Sequence, residues 1–338
     1  MSGALVAAVL TDPARAMALS SDGWNAVIAA ARAEQLIGSL AVRLDGLPIP
    51  PAAARIMADA RASAEQGRVA ALWEAEMARR ALAPLSVPVV LLKGTAFVAA
   101  GLDAGRGRSI GDLDILVPHT NLDTVEAALL AAGWEWVKPD PYDDAYYRRW
   151  MHELPPLIHR TRDRMIDVHH TILPPTARPT PDASALIAGA VPLGNGLSVL
   201  SPEDMVIHAA AHLFADGDLQ GGLRNLWDID RLVREFDDGR FVDRLMRRAA
   251  LHDLTRATAR ALRLTKRIYA TPVDGFAPVA SDALFARRLL ARDGWGRLRH
   301  KGTEFSFYVR SHWLRMPPAM LARHLWTKWR KKSVSTDR

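Results

Sequence analysis

Two short apolar runs interrupt a chain in which most other segments have the spacing of amphipathic helices. VPVVLL (residues 87–92) and DLDILV (residues 112–117) are rich in branched aliphatic residues and are too short for buried helices. Residues 1–85, and the chain from Ser201 onward, instead carry apolar residues three and four positions apart. The sequence therefore predicts strands in the middle of the chain and helices on both sides of them.

Further strand signals lie between these regions. WEWVK (residues 134–138) is compatible with a short strand, and LPPLIHRTRDRMIDVHHTI (residues 154–172) indicates a hairpin that turns at TRD. We therefore predict an α+β fold, in which a small sheet core is flanked by N-terminal and C-terminal helical regions. The expected boundaries are residues 1–85 for the N-terminal helices, 86–200 for the α/β core and 201–338 for a basic helical domain.

The second apolar run contains two aspartates, Asp112 and Asp114. Residues i and i+2 of a strand point to the same face, about 6.6 Å apart along the chain, so both carboxylates face one side. Ionised carboxylates are costly to bury unless they are paired or bind a metal. Asp167, between Ile166 and Val168 of the predicted hairpin, offers a third carboxylate. Hard oxygen ligands of this kind suit Mg²⁺ or Mn²⁺, and such a cluster can hold two ions about 3.5–4 Å apart.

A phosphate-binding signal precedes the aspartates. Lys93, Gly94 and Thr95 follow the first apolar run and begin a predicted helix. Glycine lets the backbone approach a phosphate closely, and the unpaired N–H groups of a helix N-terminus attract anions. Arg108, four residues before Asp112, adds a positive charge for a triphosphate. These residues predict a site that binds the phosphates of a substrate such as a triphosphate.

In this order, strand–LLKG–helix, RSIGDLDILV and the later IDVH resemble the uncharacterised nucleotidyltransferase family within the DNA polymerase β superfamily. The resemblance covers about residues 88–235 and extends to the HAAAHLF and LRNLWDIDRLV helices. The chain departs from the usual pattern in two places. Ser109 follows the arginine where proline is usual, and Lys-Gly-Thr replaces the superfamily's glycine–serine turn.

The resemblance implies transfer of a nucleoside monophosphate from a nucleoside triphosphate to a hydroxyl or phosphate acceptor, with release of pyrophosphate. Asp112 and Asp114 would bind both metal ions, and Asp167 would bind the catalytic ion and help to deprotonate the acceptor hydroxyl. The resemblance does not specify the acceptor, and four classes are compatible with it: a small molecule, a saccharide, a peptide and a protein. Three residues would lie along the nucleotide phosphates: Lys93, Gly94 and Arg108.

Several unrelated kinds of protein also carry closely spaced aspartates. An EF-hand loop beginning at Asp112 would need glycine at its sixth position, where Val117 stands, so this interpretation fails. A D-x-D glycosyltransferase would need a larger α/β unit before the aspartates than this chain offers. A catalytically inactive nucleotide-binding or scaffold protein is still compatible with the pattern, and so is a coincidence of surface aspartates.

Several polar residues outside the aspartate pattern have two interpretations each. His169 shares a strand face with Asp167, so it would contact phosphate or acceptor, or serve a structural role. His208 and His212, four positions apart on a predicted helix, favour a packed or hydrogen-bonded pair, because no third zinc ligand is evident. Three further residues either form ion pairs with one another or line an acceptor cleft: Arg224, Asp228 and Arg231.

Charge is distributed unevenly along the chain. Residues 239–338 hold 23 Lys and Arg against 7 Asp and Glu, a balance of +16 in a chain of net charge +7. This basic tail, with Trp326 and Trp329 near its end, is compatible with a module that tethers nucleic acid or membrane. Its arginines, however, mostly lie at helical spacing without interleaved aromatic residues. We therefore favour a structural or acceptor-steering role over nucleic-acid binding.

The absence of cysteine excludes whole classes of function: disulfides, cysteine-ligated zinc, iron–sulfur clusters and thiol catalysis. No apolar run reaches the roughly 18 residues that a membrane span needs. The N-terminal residues also lack the basic region that is typical of a signal peptide. We therefore expect a cytoplasmic protein that has no transmembrane segment.

Overall fold

The computed structural model describes residues 2–215 and 217–315 of the chain. Helices predominate, and short strands are confined to the central part of the sequence. The predicted α+β class is confirmed, because one mixed sheet is flanked by helices from both ends of the chain. The end of the basic tail, with Trp326 and Trp329, lies outside the described residues.

Four α-helices of the described chain precede the sheet. They are α1 (Ser2–Thr11), α2 (Ser21–Ala33), α3 (Ile37–Arg43) and α4 (Pro51–Leu82). Local sequence explains where two of them begin. The hydroxyl of Ser20 accepts a hydrogen bond from the backbone N–H of Gly23 at the start of α2. Pro51 is the first residue of α4. The backbone N–H at this position takes part in no hydrogen bond within a helix, so proline, which lacks it, is tolerated there.

Seven strands of the described chain form the sheet. They are β1 (Val90–Leu91), β2 (Leu113–Leu116), β3 (Trp134–Trp136), β4 (Leu157–His159), β5 (Met165–His169), β6 (Val191–Pro192) and β7 (Ser198–Val199). Their order across the sheet is β3-β4-β5-β2-β1-β7-β6. The hairpin predicted around TRD is the antiparallel pair β4 and β5. The neighbouring pair β2 and β5 is parallel and places Asp114 directly opposite Asp167.

The remaining described α-helices lie between the strands or follow them. Those between strands are α5 (Lys93–Ala99), α6 (Leu122–Ala131), α7 (Pro141–Trp150) and α8 (Ala183–Ala188). Those after the sheet are α9 (Pro202–Ala215), α10 (Gly222–Phe236), α11 (Phe241–Leu251), α12 (Thr255–Tyr269), α13 (Ala280–Leu289) and α14 (Lys301–Arg315). In this described set, no helix has both the length and the apolar character needed to cross a membrane.

The strand that carries the predicted aspartates is buried. Leu113, Ile115 and Leu116 of β2 belong to the hydrophobic core, and α4 and α5 both pack against this strand. Asp114 is also only 2% exposed. A buried carboxylate is costly unless it is paired with a cation, hydrogen-bonded or bound to a metal. The polar groups that contact Asp114 therefore indicate where a functional site lies.

Helices from the two ends of the chain pack against each other. Arg292 Nε donates a hydrogen bond to Glu34 Oε1 at 2.6 Å, and both side chains are buried. The backbone N–H of Ser2 donates to the carbonyl of Arg292 at 3.0 Å. The N-terminal and C-terminal helices thus share an interface, while the division into three regions at residues 85 and 200 stays a prediction.

Asp204 forms an acid-sensitive contact between α9 and the end of α11. Its buried carboxylate accepts hydrogen bonds of 2.8 and 2.7 Å from Arg248 and lies 3.2 Å from Nε2 of His252. Burial would raise the pKa of Asp204, but the contact with His252 and the hydrogen bonds from Arg248 outweigh burial and lower it. A depressed carboxyl pKa contributes stability above the unfolded value, about 3.9, which is lost as pH falls through the folded value.

We therefore expect Asp204→Asn to flatten the acid side of the stability profile. Below about pH 4 the free energy of unfolding of the wild type should fall more steeply with decreasing pH than that of the variant. Urea unfolding between pH 3 and 6 measures both slopes. Asp123→Asn, at a side chain that is 94% exposed, serves as the control and should follow the wild type. Equal slopes for the wild type and Asp204→Asn would contradict this role of Asp204.

Candidate active site

Three carboxylates converge beside the parallel strands β2 and β5. Asp112 precedes β2 and is exposed, Asp114 lies within β2 and is buried, and Asp167 lies opposite it in β5. One oxygen from each carboxylate lies within 4.8 Å of the others. Strand register thus brings together all three carboxylates that the sequence singled out. A donor set made only of oxygen atoms is one that a hard divalent cation prefers.

Lys93 is a direct partner of Asp114. It is the first residue of α5, and its Nζ donates a hydrogen bond to Asp114 Oδ1 at 2.6 Å. Burial would lower the pKa of Lys93, but the charge and hydrogen bond of Asp114, followed by Asp112 and Asp167, raise it above its usual value. The backbone of Lys93 has a φ of 49°, in the left-handed region that residues other than glycine rarely adopt. The chain thus accepts a strained turn at the position that brings this lysine to Asp114.

His169 links Asp114 to a residue that the sequence did not indicate. Its Nε2 lies 3.0 Å from Asp114 Oδ1, and its Nδ1 lies 3.4 Å from Glu153 Oε2. Glu153 reaches this position because an isolated antiparallel bridge pairs it with His169 ahead of β4. The histidine therefore has a structural contact with the carboxylate cluster, while contact with phosphate or acceptor stays a prediction.

Glu153 and its neighbour His152 were missed because MHELPP has neither strand alternation nor helical spacing. The available signal was the adjacent histidine and glutamate just before a predicted hairpin. With His169 they form a second group whose ligand atoms lie within 4.8 Å of one another. Burial, followed by the charges of His169 and Lys93, lowers the pKa of His152 to about 3, so its ring is neutral at neutral pH.

The carboxylate cluster is short of positive charge. Burial, followed by the charges of Asp114 and Glu153, raises the pKa of Asp167 to about 7. Burial also raises the pKa of Glu153. At Asp114 burial would act in the same direction, but Lys93 and His169 outweigh it and hold the pKa well below its usual range. A bound cation would supply the charge that the other carboxylates lack.

Arg108 forms a buried ion pair with α10. Its Nε donates a hydrogen bond to Asp228 Oδ2 at 3.0 Å, and both side chains are buried. Its guanidinium also lies over the ring of Phe97, 5.5 Å from the centroid. A Cβ at Gly94 would overlap this guanidinium, so glycine permits the close approach of α5 to Arg108. Arg108 therefore has a role in the fold, and its predicted contact with the triphosphate stays a prediction.

The three residues that begin α5 have different surroundings. Lys93 reaches the carboxylates, whereas Gly94 packs against Arg108. Thr95 is only 1% exposed, and its hydroxyl forms no hydrogen bond with any residue that the structure describes. The expected phosphate contacts of this turn stay a prediction, with Lys93 as the member closest to the carboxylates.

A cavity of about 40 Å³ lies between the β1–α5 turn and helices α9 and α10. Part of its lining is apolar: Leu91, Leu92, Ala96, Phe97, Leu200, Met205 and Ala209. The other lining residues are polar: Lys93, Arg108, His208, His212, Arg224, Asn225 and Asp228. Half of the lining residues are therefore polar or charged, which suits a polar or charged ligand better than an apolar one. Through Lys93 this cavity adjoins the carboxylate cluster.

His208 and His212 both line the cavity from α9. Burial, followed by the charge of Lys93, lowers the pKa of His208 well below its usual value, so its ring is neutral. Within the described residues, the groups that could hold a metal include neither histidine. That the two form a packed or hydrogen-bonded pair stays a prediction.

The ion pairs predicted among Arg224, Asp228 and Arg231 were wrong in their partners. Asp228 accepts its hydrogen bond from Arg108, which is 120 residues away, and Arg231 pairs with Asp230. Arg224 lines the cavity instead. The helical spacing of these residues was therefore a correct guide to their shared helix but not to their contacts.

Comparison with known proteins identifies the family. A family model described as an uncharacterised nucleotidyltransferase matches residues 20–270, which include the three carboxylates and the cavity. No curated protein and no solved structure gives a significant match. The family match covers well over half of the chain and agrees with the resemblance found in its motifs. The chain belongs to the uncharacterised nucleotidyltransferase family.

Proposed function

We propose that the protein transfers a nucleoside monophosphate from a nucleoside triphosphate to a hydroxyl or phosphate acceptor, with release of pyrophosphate. The observation that carries the proposal is the meeting of Asp112, Asp114 and Asp167 within 4.8 Å of one another. Membership in a nucleotidyltransferase family supports a nucleotide as substrate. The acceptor classes left open by the sequence, from small molecules and saccharides to peptides and proteins, all remain candidates.

The three carboxylates fit Mg²⁺ or Mn²⁺ as cofactor. They offer hard oxygen donors, and the charge of the cluster is only partly balanced by Lys93. A divalent cation supplies positive charge that polarises a phosphoryl group and stabilises the charge of the transition state. Asp112, Asp114 and Asp167 would hold it.

The other residues of the site would orient these groups and move the proton. Lys93 and His169 fix the Asp114 carboxylate through contacts of 2.6 and 3.0 Å. Asp167 would accept the proton of an acceptor hydroxyl while the new O–P bond forms and the bond from the α-phosphorus to pyrophosphate breaks. Alignment of the reacting groups would account for much of the rate.

A nucleotide-binding protein without catalysis is the second candidate. Lys93 and Arg108, the two cations expected along the phosphates, each already have an aspartate partner within the protein. Cations that are paired in this way offer less charge to a triphosphate than free ones do. This second candidate predicts nucleotide binding with no release of pyrophosphate.

Pyrophosphate release tests the proposal. The full chain is incubated with each ribonucleoside triphosphate, Mg²⁺ or Mn²⁺, and separate pools of small molecules, saccharides, peptides and proteins. We expect release with one of these pools, and we expect EDTA to abolish it. Nucleotide binding without release from any pool would favour the second candidate, whereas neither binding nor release would reject both.

A further inference from the structure

The guanidinium of Arg224 has no hydrogen-bonded counterion among the described residues, although the charges of Asp228, Asp112 and Asp114 act on it from a distance. It lines the cavity that adjoins the carboxylates, and no hydrogen bond or ion pair joins it to a residue in the described part of the chain. The two neighbouring cations differ in this respect. Lys93 pairs with Asp114 at 2.6 Å. Arg108 pairs with Asp228 at 3.0 Å.

Asp228 lies one helical turn from Arg224 on α10 but does not form an ion pair with it. Its Oδ2 accepts from Arg108, and its Oδ1 has no hydrogen bond with any described residue. Burial, followed by the charge of Arg108, lowers the pKa of Arg224 to about 10, so the guanidinium is still protonated at neutral pH. A charge that is largely withdrawn from water in this way is stabilised by an anionic ligand.

The cavity has room for a small anionic group beside Arg224. Its volume of about 40 Å³ corresponds to roughly three water positions, at about 10–15 Å³ each. That space is enough for one tetrahedral phosphoryl group. The guanidinium fork matches two phosphate oxygens, and the amide of Asn225 lines the same cavity.

We propose that this cavity is a phosphoryl-binding subsite in which Arg224 is the anion-binding residue. The inference rests on the proposed function and adds to it a place and a residue that would bind a phosphoryl group other than the one that reacts. Two sources share this chemistry: the terminal phosphoryl group of the nucleoside triphosphate, and a phosphate ester on the acceptor.

Inorganic phosphate is the simplest probe of the subsite. Its binding to the full chain is measured by ³¹P line broadening in buffer with EDTA, so that no divalent cation contributes. Arg224→Gln is expected to weaken binding about tenfold or more, since it removes charged hydrogen bonds to the anion. Arg106→Gln removes the same charge at a side chain that is 67% exposed, and should bind within about twofold of the wild type.

A second variant and a competition experiment complete the test. Arg224→Lys keeps the charge without the planar fork and should bind with intermediate affinity, which provides a measurement even if the glutamine variant folds poorly. With Mg²⁺ and a non-cleavable triphosphate analogue at saturation, loss of phosphate binding would identify the nucleotide as the source. Phosphate binding that persists and still depends on Arg224 would identify the acceptor.

Two results would overturn the proposal: no phosphate binding to the wild type, or equal affinity in the wild type and both Arg224 variants. Because phosphate binding requires no turnover, these results are independent of pyrophosphate release. A protein that binds phosphate through Arg224 but never releases pyrophosphate would retain the subsite and lose the proposed transferase activity.

Discussion

Asparagine in place of Asp112 is expected to lower the rate of nucleotidyl transfer by about 100- to 1000-fold, because it removes one charged ligand of the cation that stabilises the transition state. The free energy of unfolding of Asp112→Asn should differ from that of the wild type by less than about 0.5 kcal/mol. The Asp112 side chain is exposed and forms no hydrogen bond with a described residue, so the substitution removes charge without removing a contact of the fold. Pyrophosphate release and urea unfolding measure the two effects separately.

Asp123→Asn is the matched control for this experiment, because it makes the same chemical change at an exposed position away from β2. It should leave both the rate and the stability near those of the wild type. Binding of Mn²⁺, followed by electron paramagnetic resonance, should weaken in Asp112→Asn alone. A wild-type rate in Asp112→Asn would show that this carboxylate takes no part in the reaction.

Asp114 is a less informative target, although the same role was predicted for it. It is 2% exposed and accepts the hydrogen bond from Lys93 while also contacting His169. Asparagine there would leave the lysine without its counterion, at a cost of about 3–5 kcal/mol. Loss of activity in that variant would therefore not separate the chemistry from the fold.

The strands of the site could be predicted because each carries a local signal. Asp112 and Asp114 alternate with apolar residues at the start of the short run that ends at Val117. This alternation predicts a strand and places both carboxylates on the same face of it. Asp167 lies in a similar context inside the hairpin. These signals act within a few residues, and the order of the motifs was enough to indicate the family that comparison then showed.

Contacts between distant segments could not be predicted in the same way. Periodicity tells which face a side chain takes but not which element covers it, so the pairing of Arg108 with Asp228 had no sequence signal. The position of Glu153 depends on an isolated bridge to His169. Strands of two residues, such as β6 and β7, are too short to establish a period of two.

Alanine in place of Asp228 is expected to lower the free energy of unfolding by about 3–5 kcal/mol. The substitution would leave the Arg108 guanidinium buried without its partner, and the remaining contact with the Phe97 ring offsets little of that cost. Equilibrium urea unfolding measures the change. Asp274→Ala, at a fully exposed side chain, is the control and should stay within about 0.5 kcal/mol of the wild type.

The double variant Arg108→Met with Asp228→Leu separates the fold from the function of this pair. Apolar residues of similar size can replace a buried ion pair with little loss, so most of the stability lost in Asp228→Ala should return. If Arg108 also contacts the triphosphate, the double variant will fold but bind nucleotide and transfer it more weakly. If its role is only structural, stability and transfer will recover together. Wild-type stability in Asp228→Ala would contradict the dependence of Arg108 on this partner.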